Sequence, residues 1–166
     1  MDIDDFEGRA GALTTDDVAA AEAALHAGAL APADTRRLVG ALARQRDEAV
    51  RGALVHLLRS SQDAALVRAA LEVLCVQWDD AARHLDAVAH FVRGAAWDIA
   101  AGGEVRRAAI AVAGGYLARH EHTPLLFELI AISEGEEDEA TRLAAVRALA
   151  QATGYRGRPV DLQIDL

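Results

Sequence analysis

Apolar residues recur along this chain at helical spacing, in blocks divided by short polar breaks. Val50, Ala53, Leu54, Leu57 and Leu58 fall at i, i+3, i+4, i+7 and i+8, one face of a helix. Leu85, Val88, Ala89 and Val92 make a second such face, and Leu125, Leu126, Leu129 and Ile130 a third. Between these blocks a longer template appears four times, counted from Thr35, Val67, Val105 and Thr141. Offsets +3, +4, +7 and +8 from each start are apolar, and offset +1 is always arginine: Arg36, Arg68, Arg106 and Arg142. The starts lie 32, 38 and 36 residues apart. A period in that range predicts stacked helical hairpins, each burying its apolar face against its neighbours.

The breaks carry matching start signals. Thr14, Thr15, Asp16 and Asp17 open a first helix that runs to about Ala27, with Gly28 near its end. The first template helix follows Pro32 and Asp34 and runs to about Arg46. Asp47 opens the next helix, and its partner starts after Asp63 and ends near Trp78. The Leu85 stripe is expected to continue to about Trp97, and the loop at Gly102 and Gly103 leads into the helix of Val105. Thr123 with Pro124 is a cap followed by proline in the first turn. An acidic loop, residues 134–138, precedes the last helix, which Gly154 stops. The expectation is all-α: an α-solenoid of about four hairpins (eight helices) over residues 14–154. An N-terminal segment, 1–13, precedes it and a short extended tail, 155–166, follows.

The tail changes period. Val160, Leu162, Ile164 and Leu166 alternate with Asp161, Gln163 and Asp165, a period of two, and Met1 to Asp4 alternate similarly. Three readings of the tail stay open: docking along the last hairpin, strand pairing with the N-terminus or another chain, and disorder. Pairing with another chain would make it a route to self-association.

Composition agrees with a helical core. The chain has 166 residues, is 52% apolar and only 4% aromatic, and about a quarter of it is alanine, the strongest helix former. It contains no lysine and no asparagine, which suggests a GC-rich bacterial genome. The net charge of −9 argues against nucleic acid as a partner. That charge reads either as a solvated acidic surface or as one suited to steering towards a basic protein. The single cysteine, Cys75, shares its helix face with Leu71, Leu74 and Trp78 and reads as a buried, inert thiol. No secretion signal or membrane-spanning stretch is visible, so the cytoplasm is the expected compartment.

Residues Val105, Arg106, Arg107, Ala108, Ala109 and Ile110, and the run from Thr141 and Arg142 through Ala144, Ala145, Ala148 and Leu149, resemble the second helix of a HEAT repeat. The match is specific in the last two hairpins, looser in the first two, and covers residues 16–154. The resemblance implies a solenoid whose second helices line a concave, protein-binding surface. It also implies that Arg36, Arg68, Arg106 and Arg142 are structural, pairing with acids near the hairpin turns; Asp63, Glu104 and Asp138 are the local candidates.

Some HEAT-like proteins are enzymes. The deoxyhypusine hydroxylase branch holds two irons through several His-Glu pairs. Here the only such pair is His120 with Glu121, in a loop, too few ligands for a metal. His120 with His122 and His84 with Asp86 are weak metal signals. HEAT-like DNA glycosylases use an aspartate and tryptophans in a basic groove; Asp98 beside Trp97 is the sole hint of one, and the net charge opposes it. HEAT-like bilin lyases are a remote further option. No nucleophile is paired with a base, and Gly114 with Gly115 lies within a helix, where close packing explains it better than a phosphate loop.

The outward positions of the template helices are the most suggestive surface. Val73, Val76, Ile110 and Val146 are apolar there, with Glu72 among them and Arg37, Arg107 and Arg147 around them. Such a patch resembles a protein-binding face; in the alternative reading, tight solenoid curvature or the tail buries these residues. The expectation is therefore a non-catalytic scaffold or adaptor, with no cofactor and no metal, that grips another protein. An immunity-type inhibitor of a basic toxin is a sharper version of this. A HEAT-like lyase or glycosylase is the alternative of a different class.

Overall fold

The computed structural model describes residues 3–8, 13–27, 30–46, 48–136 and 138–154. Residues 155–166, on which the expectation of an extended tail rests, lie outside the described residues. The described residues are mostly helical and contain no strand. The elements are α1 (Ile3–Gly8), α2 (Thr15–Ala27), α3 (Pro32–Ala43), α4 (Glu48–Ser60), α5 (Ala64–Leu71), α6 (Leu85–Arg93), α7 (Ala96–Ala100), α8 (Glu104–Leu117), α9 (Thr123–Gly135) and α10 (Glu139–Ala152).

Side chains start four of these helices by satisfying amides that have no intrahelical partner. At α2, Thr14 and Asp17 bond each other's backbone amides reciprocally, at 2.9 and 3.2 Å. Asp63 accepts from the amides of Ala65 and Leu66 at α5. Asp138 accepts from Thr141 at α10. At α9 the acceptor is a histidine: His122 Nδ1 takes the Leu125 amide at 3.2 Å.

Three departures from the sequence expectation have local causes. Residues 3–8, to which the sequence pattern assigns no helix, form α1. Ile3 and Phe6 are three apart, share one face of α1, and are both buried where α1 packs on α3. The helix expected to reach Trp97 stops at Arg93, because Gly94 turns the chain with φ +99°, a region open mainly to glycine; α7 then forms separately. Finally, α5 does not run on regularly to Trp78. Its continuation, Glu72–Gln77, is a π-helical turn in which the Trp78 amide bonds the Val73 carbonyl five residues back.

The packing follows chain order. α3 packs on α5, α5 on α8, and α8 on α10, while α2 meets α4 and α6 meets α9. α8 is central, touching α5, α6, α7, α9 and α10. Its approach to α10 depends on Gly114, whose missing side chain leaves room for the Ala148 backbone. The core is aliphatic, with Leu38, Leu54, Leu71, Leu74, Ile110 and Leu129 fully buried.

Candidate protein-binding groove

The α8 sequence carries a second pattern besides its core face. Ala108, Ala111, Gly115 and Ala118 fall at i, i+3, i+7 and i+10, so a stripe of very small side chains runs down one side of the helix. A groove of about 750 Å³ lies there, walled on the other side by α5 and its π-helical turn, with Gln151 of α10 at one margin. Leu71, Cys75, Val112 and Tyr116 supply apolar lining, and Val76, 61% exposed, stands on the wall. Arg68, Glu72 and Arg119 provide its charges.

The π-helical turn shapes that wall. It widens the helix by one residue per turn, brings Val73 into the core and leaves Val76 outside. The chain then reverses at Asp79, which takes the left-handed conformation at φ +58°. Asp79 receives two hydrogen bonds from Arg119, at 2.6 and 2.9 Å, so the groove wall from α5 is clasped to the end of α8. Those bonds hold the Asp79 carboxyl below its usual range. The base of the wall is anchored further: Trp78 Nε1 donates to the Ala43 carbonyl at 2.8 Å, and the Arg51 guanidinium lies 5.5 Å from the Trp78 ring. Cys75 is buried, and burial first, then the charge of Asp80, pushes its thiol up to about 12. The thiol is unreactive lining, as its apolar neighbours suggested.

The residues expected on a concave binding face are not brought together as a set. Glu72 and Val76 line the groove. Val73 and Ile110 are corrections to the expectation: both are buried and offer no surface. Val73 is turned inward by the π-helical turn, and Ile110 is covered because α8 has neighbours on several sides. Val146 and Arg147 are exposed but lie outside the groove lining. Arg107 donates to the Gly102 carbonyl at 2.6 Å and stands 4.0 Å from Asp138. Arg37 is bound to Glu7 at 2.7 Å and also to Asp4, which ties α3 to α1.

The repeat arginines bind to the fold unevenly. Arg106 is the firmest: it donates to the Val92 carbonyl at 3.0 Å and meets Glu136 at 2.6 Å, with side chains only 13% and 20% exposed. Its acid is Glu136, where Asp138 was a candidate; Asp138 is engaged in capping α10. Arg68 reaches Glu104 only at 4.0 Å and lines the groove. Arg142 donates to the Glu136 carbonyl at 3.1 Å, and Arg36 is exposed on α3. Asp63 serves as the α5 cap.

Two features with catalytic overtones have structural uses. Asp98 is buried, and its carboxylate accepts from the amides of Val105 and Arg106 at 3.0 and 2.8 Å, capping α8 from a distance. Trp97 stacks edge-on against Phe91. Among the described residues no three His, Cys, Asp or Glu side chains are placed to hold a metal ion. None of the described helices is long and apolar enough to cross a membrane. No family model, curated protein or solved structure matches this chain.

Proposed function

We propose that this chain is a HEAT-like α-solenoid of about four hairpins, acting in the cytoplasm as a non-catalytic scaffold that holds a segment of another protein in the α5–α8 groove. The groove carries the proposal. Its lining is mostly apolar, its volume falls in the range of ligand-binding clefts, and a few charged groups stand where they could orient an occupant. Apolar lining framed by arginine is the composition of a protein-binding patch core.

Several features support the stacked reading. Template helices pack in sequence, α3 to α5 to α8 to α10, as neighbours in a solenoid do. Arg68 with Glu104, and Arg106 with Glu136, each join a repeat arginine to an acid further along the chain, at the entry to the next unit. The net charge of −9 steers a basic partner from a distance, while apolar contact in the groove supplies the affinity.

The test is a Val76→Asp, Ala111→Arg double variant. Both positions are exposed, so the fold should be retained, as circular dichroism would show. Proteins retained from lysate of the source organism by the wild type are identified, purified and titrated against both forms by calorimetry. At least a ten-fold loss of affinity is expected, about 1.4 kcal/mol. Equal affinity would overturn the groove as the binding site.

A further inference from the structure

We propose that residues 160–166 of this same chain occupy the groove as an extended ribbon and compete there with the partner. The proposal rests on the groove being a protein-binding site, and it names the groove's first occupant. The segment lies outside the described residues, and the argument comes from its sequence and from the surface next to it.

Val160, Leu162, Ile164 and Leu166 share one side of an extended chain, with Asp161, Gln163 and Asp165 on the other. Such a segment buries its apolar side either in a sheet or against a surface. The described residues contain no strand for it to join. A groove with apolar lining is a complement of that kind, and the α5–α8 groove, of about 750 Å³, offers one.

Position and length agree. The chain leaves α10 at Ala152, and Gln151 just before it already lines the groove, beside Gly115. The six steps from Gly154 to Val160 reach roughly 20 Å when extended, and the six from Val160 to Leu166 span about 20 Å as well. The α8 wall from Ala108 to Ala118 rises about 15 Å. The linker can therefore turn back from the end of α10, and the ribbon can cover the wall.

Charge agrees as well. Asp161 and Asp165 would face outward from the apolar side, at about 13 Å separation, and the groove carries Arg68 and Arg119. Among the described residues Arg68 has the 4.0 Å contact with Glu104, and it can turn to another carboxylate.

A ribbon seated nine-tenths of the time would weaken the partner's apparent affinity about ten-fold. Methyl NMR of the full chain tests this, comparing the wild type with Leu162→Asp, Ile164→Asp. The expected result is shift changes at Val76, Ala108, Ala111 and Val112, unchanged on dilution, with Leu143 and Val146 of α10 unmoved. A synthetic peptide of residues 158–166 added to the double variant should restore the wild-type shifts saturably. Unchanged groove shifts, changes confined to Leu143 and Val146, or shifts that depend on protein concentration (docking on a second copy) would each overturn the proposal. If the double variant leaves the groove unaltered while Val76→Asp, Ala111→Arg still abolishes partner binding, the groove function stands and the internal competitor falls.

Discussion

Two adjacent glycines in α8 should respond to the same substitution with opposite sign. A Cβ on Gly114 would lie 2.7 Å from the Cα and Cβ of Ala148 and 2.9 Å from its carbonyl oxygen. Ordinary carbon contacts are about 3.5–4.0 Å, so α8 and α10 would have to separate by about 1 Å. The obstructing atoms are mainly backbone and cannot swing aside. Alanine gains about 1 kcal/mol over glycine as a helix former, while overpacking a close-fitted interface costs about 1–3 kcal/mol. With a backbone obstacle the upper part of that range applies, so Gly114→Ala should destabilise by about 1–2 kcal/mol and lower Tm by roughly 3–7 °C. At Gly115 the added carbon would meet only the Gln151 side-chain amide, at 3.6 Å. Gly115→Ala should therefore stabilise by about 0.5–1 kcal/mol. Urea unfolding of the two variants, with m-values compared, measures both. A Gly114→Ala protein as stable as Gly115→Ala would refute the close α8–α10 crossing.

Other outcomes follow from single side chains. Asp98→Ala strands the buried amides of Val105 and Arg106 and should cost about 2–4 kcal/mol in urea unfolding. Arg106→Met leaves Glu136 and the Val92 carbonyl without their partner and should cost about 2–3 kcal/mol, against less than about 0.5 kcal/mol for Arg68→Met, whose pair is exposed; equal losses would contradict the uneven ladder. Burial first, then the nearby arginines, lowers the His84 imidazole below its ordinary value against the opposing pull of Asp80. The unfolded chain then takes up that proton more readily, so the contribution is complete above about pH 6.5 and is lost as pH falls through the lower folded value; His84→Gln should flatten thermal stability between pH 7 and 5 relative to the wild type. Cys75, pushed up to about 12, should react with a disulfide reagent only at the rate of unfolding, and fast labelling of the native protein would count against its burial.

Much of the helical framework was legible because its signals are local. Apolar stripes and the helix start after Asp63 depend on residues a few positions apart. What escaped depends on contacts formed only after folding. Met1 to Asp4 alternate like a strand, yet the face shared by Ile3 and Phe6 has α3 to pack against, and burial outweighs the alternation. Asp98 caps α8 from beyond an intervening loop, so no short motif announces it. The π-helical turn inverted the expected exposure of Val73 while leaving Val76 outside. The groove was not anticipated: Ala108 read as part of the buried template, and the space above the stripe of Ala108, Ala111, Gly115 and Ala118 depends on how far α5 stands from α8.

Site-specific photo-crosslinking tests the central claim most directly. A photoreactive phenylalanine analogue is placed at Ala111, exposed within the groove, or at Phe127, 64% exposed on α9 and outside the groove lining, and each protein is irradiated in lysate of the source organism. The account predicts a discrete adduct with a second protein from position 111, strengthened by Leu162→Asp, Ile164→Asp, and none from position 127. Adducts from position 127 alone would contradict it.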